Sequence, residues 1–511
     1  SWIWDNIVNY TWKKSVHSIT ATGVFSAQKY QYDRLYGASK DLSFNSLWYN
    51  LNGGAIESLT SNFSQWTMMS YVGRINYGLM DRYLLTASLR YDGSSRLSEG
   101  NKWALFPSAA IAWRITEEDF AKNLDWLSNL KLRFSYGQAG NTNSVSPYAS
   151  EGTISGSVYY PFGTSTSVGN LPADIANPML TWERTSEYNV GLDFGFLNQR
   201  ISGNIEYYNR TTNDLLMKRN IPVHLGYSSV TSNVGSVRNS GFELQLNTAN
   251  IMTKNFAWNT TINLAYNKNE IVSLADEEDL SNYSIHLQGM RGRYSDKRFI
   301  GKPVDTNWTQ NTIGVWQLGE EEEAAKYGCV PGNFKIKDYN NDGKLTDDDY
   351  IIDGKRTPDW TGGMTNMFKI YDFDFSFHMY FQAGATQYDR FFENFALEWN
   401  SQNFNNLRTN YWTPENPSNT MGRPSQMGSR GNIAYERTDF LKVSYITLGY
   451  TLNKRLMSKW GLDNARIYVT VQNPFILTKF RGLDPEQPDL TNIGDTDGMT
   501  MNALLGVNIS F

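Results

Sequence analysis

The chain has 511 residues and a formal charge of −5, with 19% charged, 40% hydrophobic and 14% aromatic side chains; that is too aromatic for disorder and lacks the basic tract that nucleic acid requires. Its one cysteine, Cys329, excludes an intrachain disulfide and a multi-cysteine metal site. No uncharged apolar run of about 18 residues supplies a transmembrane helix, but a transmembrane β-barrel hides its lipid face in alternate residues, where averaged hydropathy misses it.

The first residues, Ser1-Trp2-Ile3-Trp4, carry neither an initiator Met nor the basic and apolar regions of a signal peptide. The chain is therefore expected to begin inside a longer protein. Alternation of period two then marks about fifteen expected strands, near residues 2, 15, 66, 82, 102, 128, 181, 200, 233, 255, 358, 372, 440, 464 and 502. Tyr188, Val190, Leu192, Phe194 and Phe196 oppose Asn189, Asp193 and Gly195. Phe242, Leu244 and Leu246 oppose Glu243, Gln245 and Asn247, and Phe373, Phe375, Phe377, Met379 and Phe381 oppose Asp374, Ser376, His378, Tyr380 and Gln382. Ala465, Ile467, Val469 and Val471 oppose Arg466, Thr470 and Gln472, while Ala503, Leu505, Val507, Ile509 and Phe511 oppose Asn502, Gly506, Asn508 and Ser510. The period slips between Val443 and Ile446, which predicts a β-bulge. Helical periodicity is confined to Glu320–Tyr327 and Glu117–Leu127.

The expected connections alternate between tight and long. Short links fall at Leu79–Arg82, Leu197–Arg200, Ile251–Asn255 and Tyr371–Asp374, and long ones at 33–65, 141–180, 210–232, 271–357, 386–440 and 481–501. Short turns on one side and long loops on the other are the pattern of an outer-membrane barrel, and aromatics at strand ends suit its interfacial girdles. A soluble antiparallel sandwich or propeller also alternates, because one face of its sheet packs on a core. The expectation is an all-β chain, a transmembrane antiparallel β-barrel with long extracellular loops, in which residues 1–511 form one partial barrel.

Several blocks resemble the C-terminal half of the SusC/RagA family of TonB-dependent outer-membrane transporters. Tyr91-Asp92-Gly93-Ser94-Ser95-Arg96, Phe106-Pro107-Ser108-Ala109 and Ala112-Trp113-Arg114-Ile115 open the series. Leu127 to Arg133, Ser135-Tyr136-Gly137-Gln138-Ala139-Gly140-Asn141, Trp182-Glu183 and Asn189-Val190-Gly191-Leu192-Asp193 follow in family order. Asn233-Val234-Gly235, Asn239-Ser240-Gly241-Phe242-Glu243 and the terminal Phe511 complete it. The resemblance implies a 22-stranded barrel of the bacterial outer membrane, an N-terminal plug, a segment that contacts TonB, and a SusD-like lipoprotein acting as a lid. It also implies import of oligosaccharides or oligopeptides. Plug, TonB segment and the first strands have no counterpart here, so about fifteen of the strands are expected in this chain. The remaining strands and the plug are expected from elsewhere in the same protein, since an open sheet edge in lipid leaves backbone groups unsatisfied. A barrel-anchored surface adhesin and a soluble secreted glycan-degrading protein are the competing readings.

Within the expected loop 271–357, residues 338–349 read Asp-Tyr-Asn-Asn-Asp-Gly-Lys-Leu-Thr-Asp-Asp-Asp. Asp338, Asn340 and Asp342 stand at positions 1, 3 and 5 of a calcium loop, Gly343 at the sharp turn, the Lys344 carbonyl at 7 and Asp349 at 12. Ca2+ is the expected ion; Asp349 in place of the usual Glu shortens the reach and leaves Mg2+ as the second choice. The opposing reading is a solvated acidic turn. No catalytic constellation accompanies it, so no enzyme is expected. His17, His224, His286 and His378 are dispersed, and His378 reads as a satisfied residue on a polar strand face. Cys329 has no base beside it, and Glu320 to Glu323 circle a helix turn as a solvated face. Loop aromatics are candidates for stacking on sugar rings or peptide side chains: Trp48, Tyr49, Tyr159, Tyr160, Phe162, Tyr227, Trp308, Trp316, Trp399, Tyr411 and Trp412.

Overall fold

A computed structural model describes the chain apart from residues 43, 45, 47, 222, 223, 225, 228, 398–408, 425–428, 454–456, 458–460 and 489–498. Fifteen strands form one sheet: β1 (Trp2–Lys14), β2 (His17–Lys40), β3 (Ala55–Leu79), β4 (Tyr83–Ser94), β5 (Trp103–Arg114), β6 (Leu127–Asn141), β7 (Glu183–Phe196), β8 (Ile201–Asn213), β9 (Ser236–Met252), β10 (Phe256–Ser273), β11 (Trp360–Ile370), β12 (Phe373–Ala383), β13 (Phe440–Thr451), β14 (Asn464–Thr478) and β15 (Asn502–Ser510). Each is hydrogen-bonded to its predecessor and successor in the chain, so the topology is an unbroken antiparallel meander with β1 and β15 at its edges. Links at 15–16, 80–82, 115–126, 197–200, 253–255, 371–372 and 452–463 alternate with connections at 41–54, 95–102, 142–182, 214–235, 274–359, 384–439 and 479–501. The seven connections of the second series leave one end of the strands, and six of them, all but 95–102, are longer than any link at the other end.

The chain divides into two compact units: Ser1–Arg114, Arg133–Asn189 and Arg210–Ser236 in the first, and Ile115–Leu132, Val190–Asn209 and Val237–Phe511 in the second. In unit 1 the registers put Trp4, Val8, Tyr10 and Trp12 of β1 in line with Phe25 of β2, Tyr71 and Ile75 of β3, Leu85, Leu89 and Tyr91 of β4, and Leu105, Ile111 and Trp113 of β5. Among the described residues no second layer covers this face: Leu89 is 55%, Ile75 54% and Tyr10 62% exposed. The opposite face is polar and cross-linked. The Thr22 hydroxyl donates to Asn9 (2.7 Å), Thr86 to Asn76 (2.9 Å), and Ser88 and Ser108 share a hydrogen bond of 2.7 Å. Arg90 binds Asp92 at 2.6 Å and reaches Ser70 at 3.0 Å.

Unit 2 repeats the division. Trp258 and Ile262 of β10, Phe368 and Met364 of β11, Phe375 of β12, Leu448 of β13, Val469 of β14 and Leu505 of β15 share one face by register. The other face carries the Thr365–His378 hydrogen bond (2.8 Å), the Thr447–Thr470 hydrogen bond (2.9 Å) and the Asp374–Arg466 ion pair at 2.6 Å. That pair bridges across β13, and the residue beneath it is Gly449, where a Cβ would stand 2.5 Å from Asp374 Oδ1 and 2.6 Å from the Arg466 guanidinium. Aromatic pairs mark both strand ends: Tyr266–Trp360 near the long loops and Phe373–Tyr450 near the short turns, with centroids 4.8 and 4.7 Å apart.

All fifteen expected strands are present, and the slip at Val443–Ile446 is a β-bulge opposite His378 and Met379. Two expectations fail. Residues 33–65 are not one long loop: β2 and β3 stay paired up to Lys40 and Ala55, leaving only 41–54 unpaired. Asp33, Arg34, Ser58, Ser61 and Asn62 blur the alternation there, but backbone pairing beyond the hydrocarbon needs no apolar face. Glu117–Leu127 is not an α-helix either. Ile115–Glu117 makes a 3-10 turn followed by short turns, and Asn123 and Asp125 are side chains that compete with helical backbone bonding. The helix expected at Glu320–Tyr327 is present as Glu321–Lys326.

Because Leu89 and Ser88 are adjacent on β4 but face opposite ways, Leu89→Lys is expected to cost about 2–4 kcal/mol and Ser88→Lys only about 1 kcal/mol, for the lost hydrogen bond to Ser108. Urea unfolding of the full-length protein in lipid, read by heat-modifiable mobility, measures both. Equal costs would contradict the assignment of the faces.

Candidate functional site

The loop-bearing end of the strands is where chemistry concentrates, and in unit 1 its root is a compact core. Leu97, Ala104, Phe106, Val145, Leu180, Trp182 and Leu216 are buried together. Trp182 lies edge-on to Phe106 (5.4 Å) and donates its indole N–H to the Lys102 carbonyl at 3.0 Å. Gly140 is required for this approach, since a Cβ there would stand 2.1 Å from the Phe106 ring and 2.7 Å from Trp182. Polar side chains fasten the loops to that core. Arg96 donates to the carbonyls of Thr142 (3.0 Å) and Val145 (3.2 Å) and lies over the Trp66 ring. Glu183 accepts from Asn141 Nδ2 (2.6 Å) and from the Leu216 N–H (2.8 Å), and Asn233 exchanges two 2.8 Å hydrogen bonds with the Thr181 backbone. Sequence reasoning assigned none of these a role, although Arg96, Phe106, Gly140, Asn141, Trp182, Glu183 and Asn233 all sit in the blocks that carried the family resemblance.

In unit 2 the long connections build three further small cores. Leu280, Leu287, Tyr294 and Phe299 form one, with Trp308 against it; Val315, Phe334, Phe392, Trp412, Met421 and Ala434 form another; Trp316, Ala324 and Cys329 form the third. This sorts the loop aromatics. Trp316 and Trp412 are buried and Trp308 is half-buried, so they hold loops together. Trp48, Tyr49, Tyr159, Tyr160, Phe162 and Tyr411 are exposed, Tyr227 is half-buried, and Trp399 lies outside the described residues. The Cys329 thiol is buried and pushed up by desolvation, away from nucleophilic form. Glu320 is no free solvated acid: it pairs with Lys335 at 2.8 Å and accepts the Gln317 N–H at 2.9 Å.

Residues 338–349 form a closed loop with Gly343 at φ +78° and Asn341 at φ +56°. Asp338 Oδ1 accepts the Asn341 N–H (2.6 Å), and its Oδ2 accepts the Gly343 N–H (2.9 Å) and the Tyr327 hydroxyl (3.0 Å). Asn340 accepts the Asp342 N–H (3.1 Å), and Asp342 accepts the Lys344 N–H (2.8 Å). Asp349, fully buried, takes the Tyr339 and Thr346 N–H groups at 2.8 and 2.9 Å. Burial raises the Asp338 carboxyl, but the hydrogen bonds from Gly343, Tyr327 and Asn341 outweigh it and hold the group below its ordinary value. Burial and the Asp338 acceptor push the Tyr327 hydroxyl up to about 12. Among the described residues, no three His, Cys, Asp or Glu side chains stand together as a preformed ligand set. The four histidines are apart: His17 bonds Tyr77, His378 bonds Thr365, His286 lies edge-on to Tyr339, and His224 is exposed.

Asp389 is the buried acid with a missing partner. Its Oδ1 accepts the Phe392 N–H at 2.9 Å, while Oδ2 has no hydrogen bond. Desolvation, helped by Glu436 and opposed by the Phe392 N–H and Arg481, pushes the carboxyl up to about 6. An acid with a raised value stabilises its folded surroundings below its ordinary value of 3.8, and that stability is lost as pH rises through about 6. Hydrogen exchange at 385–392 and 434–438, corrected for intrinsic rates, is therefore expected to be faster at pH 7.5 than at pH 5, and Asp389→Asn to remove the difference. In unit 1, Trp182→Ala is expected to cost the loop cluster about 3–5 kcal/mol. The checking measurement is hydrogen exchange, with protection lost across 142–182 and retained in β4 and β5.

A family model described as TonB dependent receptor-like, beta-barrel, matches residues 4–473. The chain is 32% identical over 534 aligned residues to TonB-dependent receptor P26 of Formosa agariphila, an alignment covering 99% of this chain and 53% of that protein. It is 35% identical over 457 residues to TonB-dependent receptor SusC of Bacteroides thetaiotaomicron, covering 87% and 44%. Among solved structures, the RagAB peptide importer in its open-open state superposes with a TM-score of 0.82 at 24% identity, over 100% of this chain and 54% of that one. The chain spans about half the length of the curated relatives it matches. With its lipid-type outer face, polar inner face and one-sided long loops, the chain belongs to the TonB-dependent receptor β-barrel family, in its SusC/RagA-like branch, and is an outer-membrane protein.

Proposed function

We propose that this chain supplies the barrel wall and the loop-bearing rim of an importer that carries oligosaccharides or oligopeptides across the outer membrane. The carrying observation is the pair of unlike faces: an uncovered apolar surface suited to hydrocarbon, and opposite it the polar ladder of Thr22–Asn9, Ser88–Ser108 and Asp374–Arg466 suited to a wet passage. The work asked of these residues is binding and passage, in which no covalent bond breaks, so no enzyme chemistry is assigned. Energy would arrive through TonB acting on a plug carried by the remainder of the protein, whose further strands would close the sheet edges. A SusD-like lipoprotein would cover the loop end, where Trp48, Tyr49 and Phe162 offer exposed rings for a lid or for cargo. SusC relatives and a RagAB peptide importer among the similar proteins support this reading.

Cells carrying the intact gene are expected to accumulate labelled oligosaccharide or peptide, and to stop when a protonophore collapses the proton-motive force. Surface binding that persists with no energy-dependent uptake would favour an adhesin.

The 338–349 loop is assigned to a divalent cation on the spacing of Asp338, Asn340, Asp342, Lys344 and Asp349, with Ca2+ preferred to Mg2+. Bound there, the ion would stiffen the long connection and take no part in passage. Millimolar Ca2+ is expected to slow hydrogen exchange across 338–349 in the intact protein, and Asp342→Ala to abolish the effect. Exchange indifferent to Ca2+ would leave the loop as a turn closed by its own N–H groups.

A further inference from the structure

The outer face of unit 1 is interrupted by a furrow of about 760 Å3 that runs across the strands, from Val8 and Tyr10 on β1 to Tyr136 on β6. Small side chains brought into line by register make its floor: Gly23 pairs with Gly73, and the next row carries Ala21, Ala87 and Ala109. Phe25, Tyr71 and Tyr91 form the rim nearer the long loops, and Tyr77, Leu85 and Ile111 the rim nearer the short turns. Glycine weakens a strand, and it is kept where the backbone needs a positive φ or where another group approaches closely. Gly93, on the same face, meets the second condition, since a Cβ there would stand 2.6 Å from the Trp103 ring. Gly23 and Gly73 meet neither within the chain: their φ values are not positive, and a Cβ on either would find no atom within 4 Å.

The setting restricts what can lie over these glycines. This face meets hydrocarbon, and an apolar furrow offers water no polar partners. Between apolar surfaces in lipid, contact decides, and a slender chain lying in a furrow is touched on three sides where one on a flat wall is touched on one. Lys29 adds a charge. It lies on β2, on the same face as Gly23 and six residues nearer the loop end, and among the described residues it has no ion pair. Those residues span about 20 Å of strand, which at a tilt of about 40° is about 15 Å of depth, one leaflet of a hydrocarbon core about 30 Å thick. We infer that the furrow is a lipid-binding site: it takes an acyl chain of a phosphate-bearing lipid of the loop-side leaflet, whose phosphate meets the Lys29 ammonium. The site depends on the chain's place in the outer membrane and not on what is imported.

The test is native mass spectrometry of the intact full-length protein in detergent, with dimyristoyl phosphatidylglycerol or with dimyristoylglycerol, which has the same chains and no phosphate. The phospholipid is expected to be retained. Gly23→Leu combined with Gly73→Leu fills the furrow and is expected to weaken that retention about tenfold, through lost contact with the chain. Lys29→Gln is expected to weaken retention of the phospholipid and to leave that of dimyristoylglycerol unchanged. Neither glycine has a φ that bars leucine, and heat-modifiable mobility verifies that the variants fold. Equal retention by the leucine variant, equal retention of the two lipids by the unaltered protein, or a lipid-free dimer that the leucine substitutions dissociate would each overturn the assignment.

Discussion

Backbone hydrogen bonding in a solvent that offers no partners is the constraint behind this structure. A strand in hydrocarbon must pair both edges, and a meander in which every strand bonds its chain neighbours meets that demand for all strands here but β1 and β15, the edges of the sheet. Once the backbone is paired, each side chain has two destinations, and alternation divides them. Tyr10, Ile75, Leu89 and Ile111 take the outer surface; Thr22, Thr86, Ser88 and Arg90 take the inner one. A slip of one residue would exchange the two sets, so the register is held by the same pattern that reveals it. Where the pattern slips, at Val443 to Tyr445, a bulge restores it and leaves Leu448 and Phe375 on a common face.

The inner face has its own demand, because polar groups there gain from being paired with one another. The Asp374–Arg466 pair needs β13 to pass beneath it without a side chain, which Gly449 allows. His378 is satisfied by Thr365 and stacked on Tyr445, a role that uses its ring and its hydrogen bond.

Beyond the strands, the long connections behave as small folded bodies with buried aromatics. The root in unit 1 joins Arg96, Asn141, Trp182, Glu183 and Asn233 from four separated stretches, and the same residues carry the family resemblance. Their shared duty is to fix loop walls. In unit 2, Asp389 is buried with one oxygen unbonded, a local weakness placed where two loop segments meet.

The amino-acid sequence alone determined the strands, their number in this chain, the bulge, and which end bears the long loops, because all of these follow from alternation and link length, properties of near neighbours. It also carried the calcium-loop spacing and the short helix at Glu321–Lys326. Tertiary structure decided what depends on residues far apart. Asp33 to Lys40 pair with Ala55 to Phe63 because the opposite strand is there to pair with, whatever their own polarity suggests. Trp316 and Trp412 are core while Trp48 and Tyr159 are surface, a difference set by partners in other loops that local composition does not encode. The contact of Gly140 with Phe106 and Trp182 likewise exists only once the meander has brought distant segments side by side.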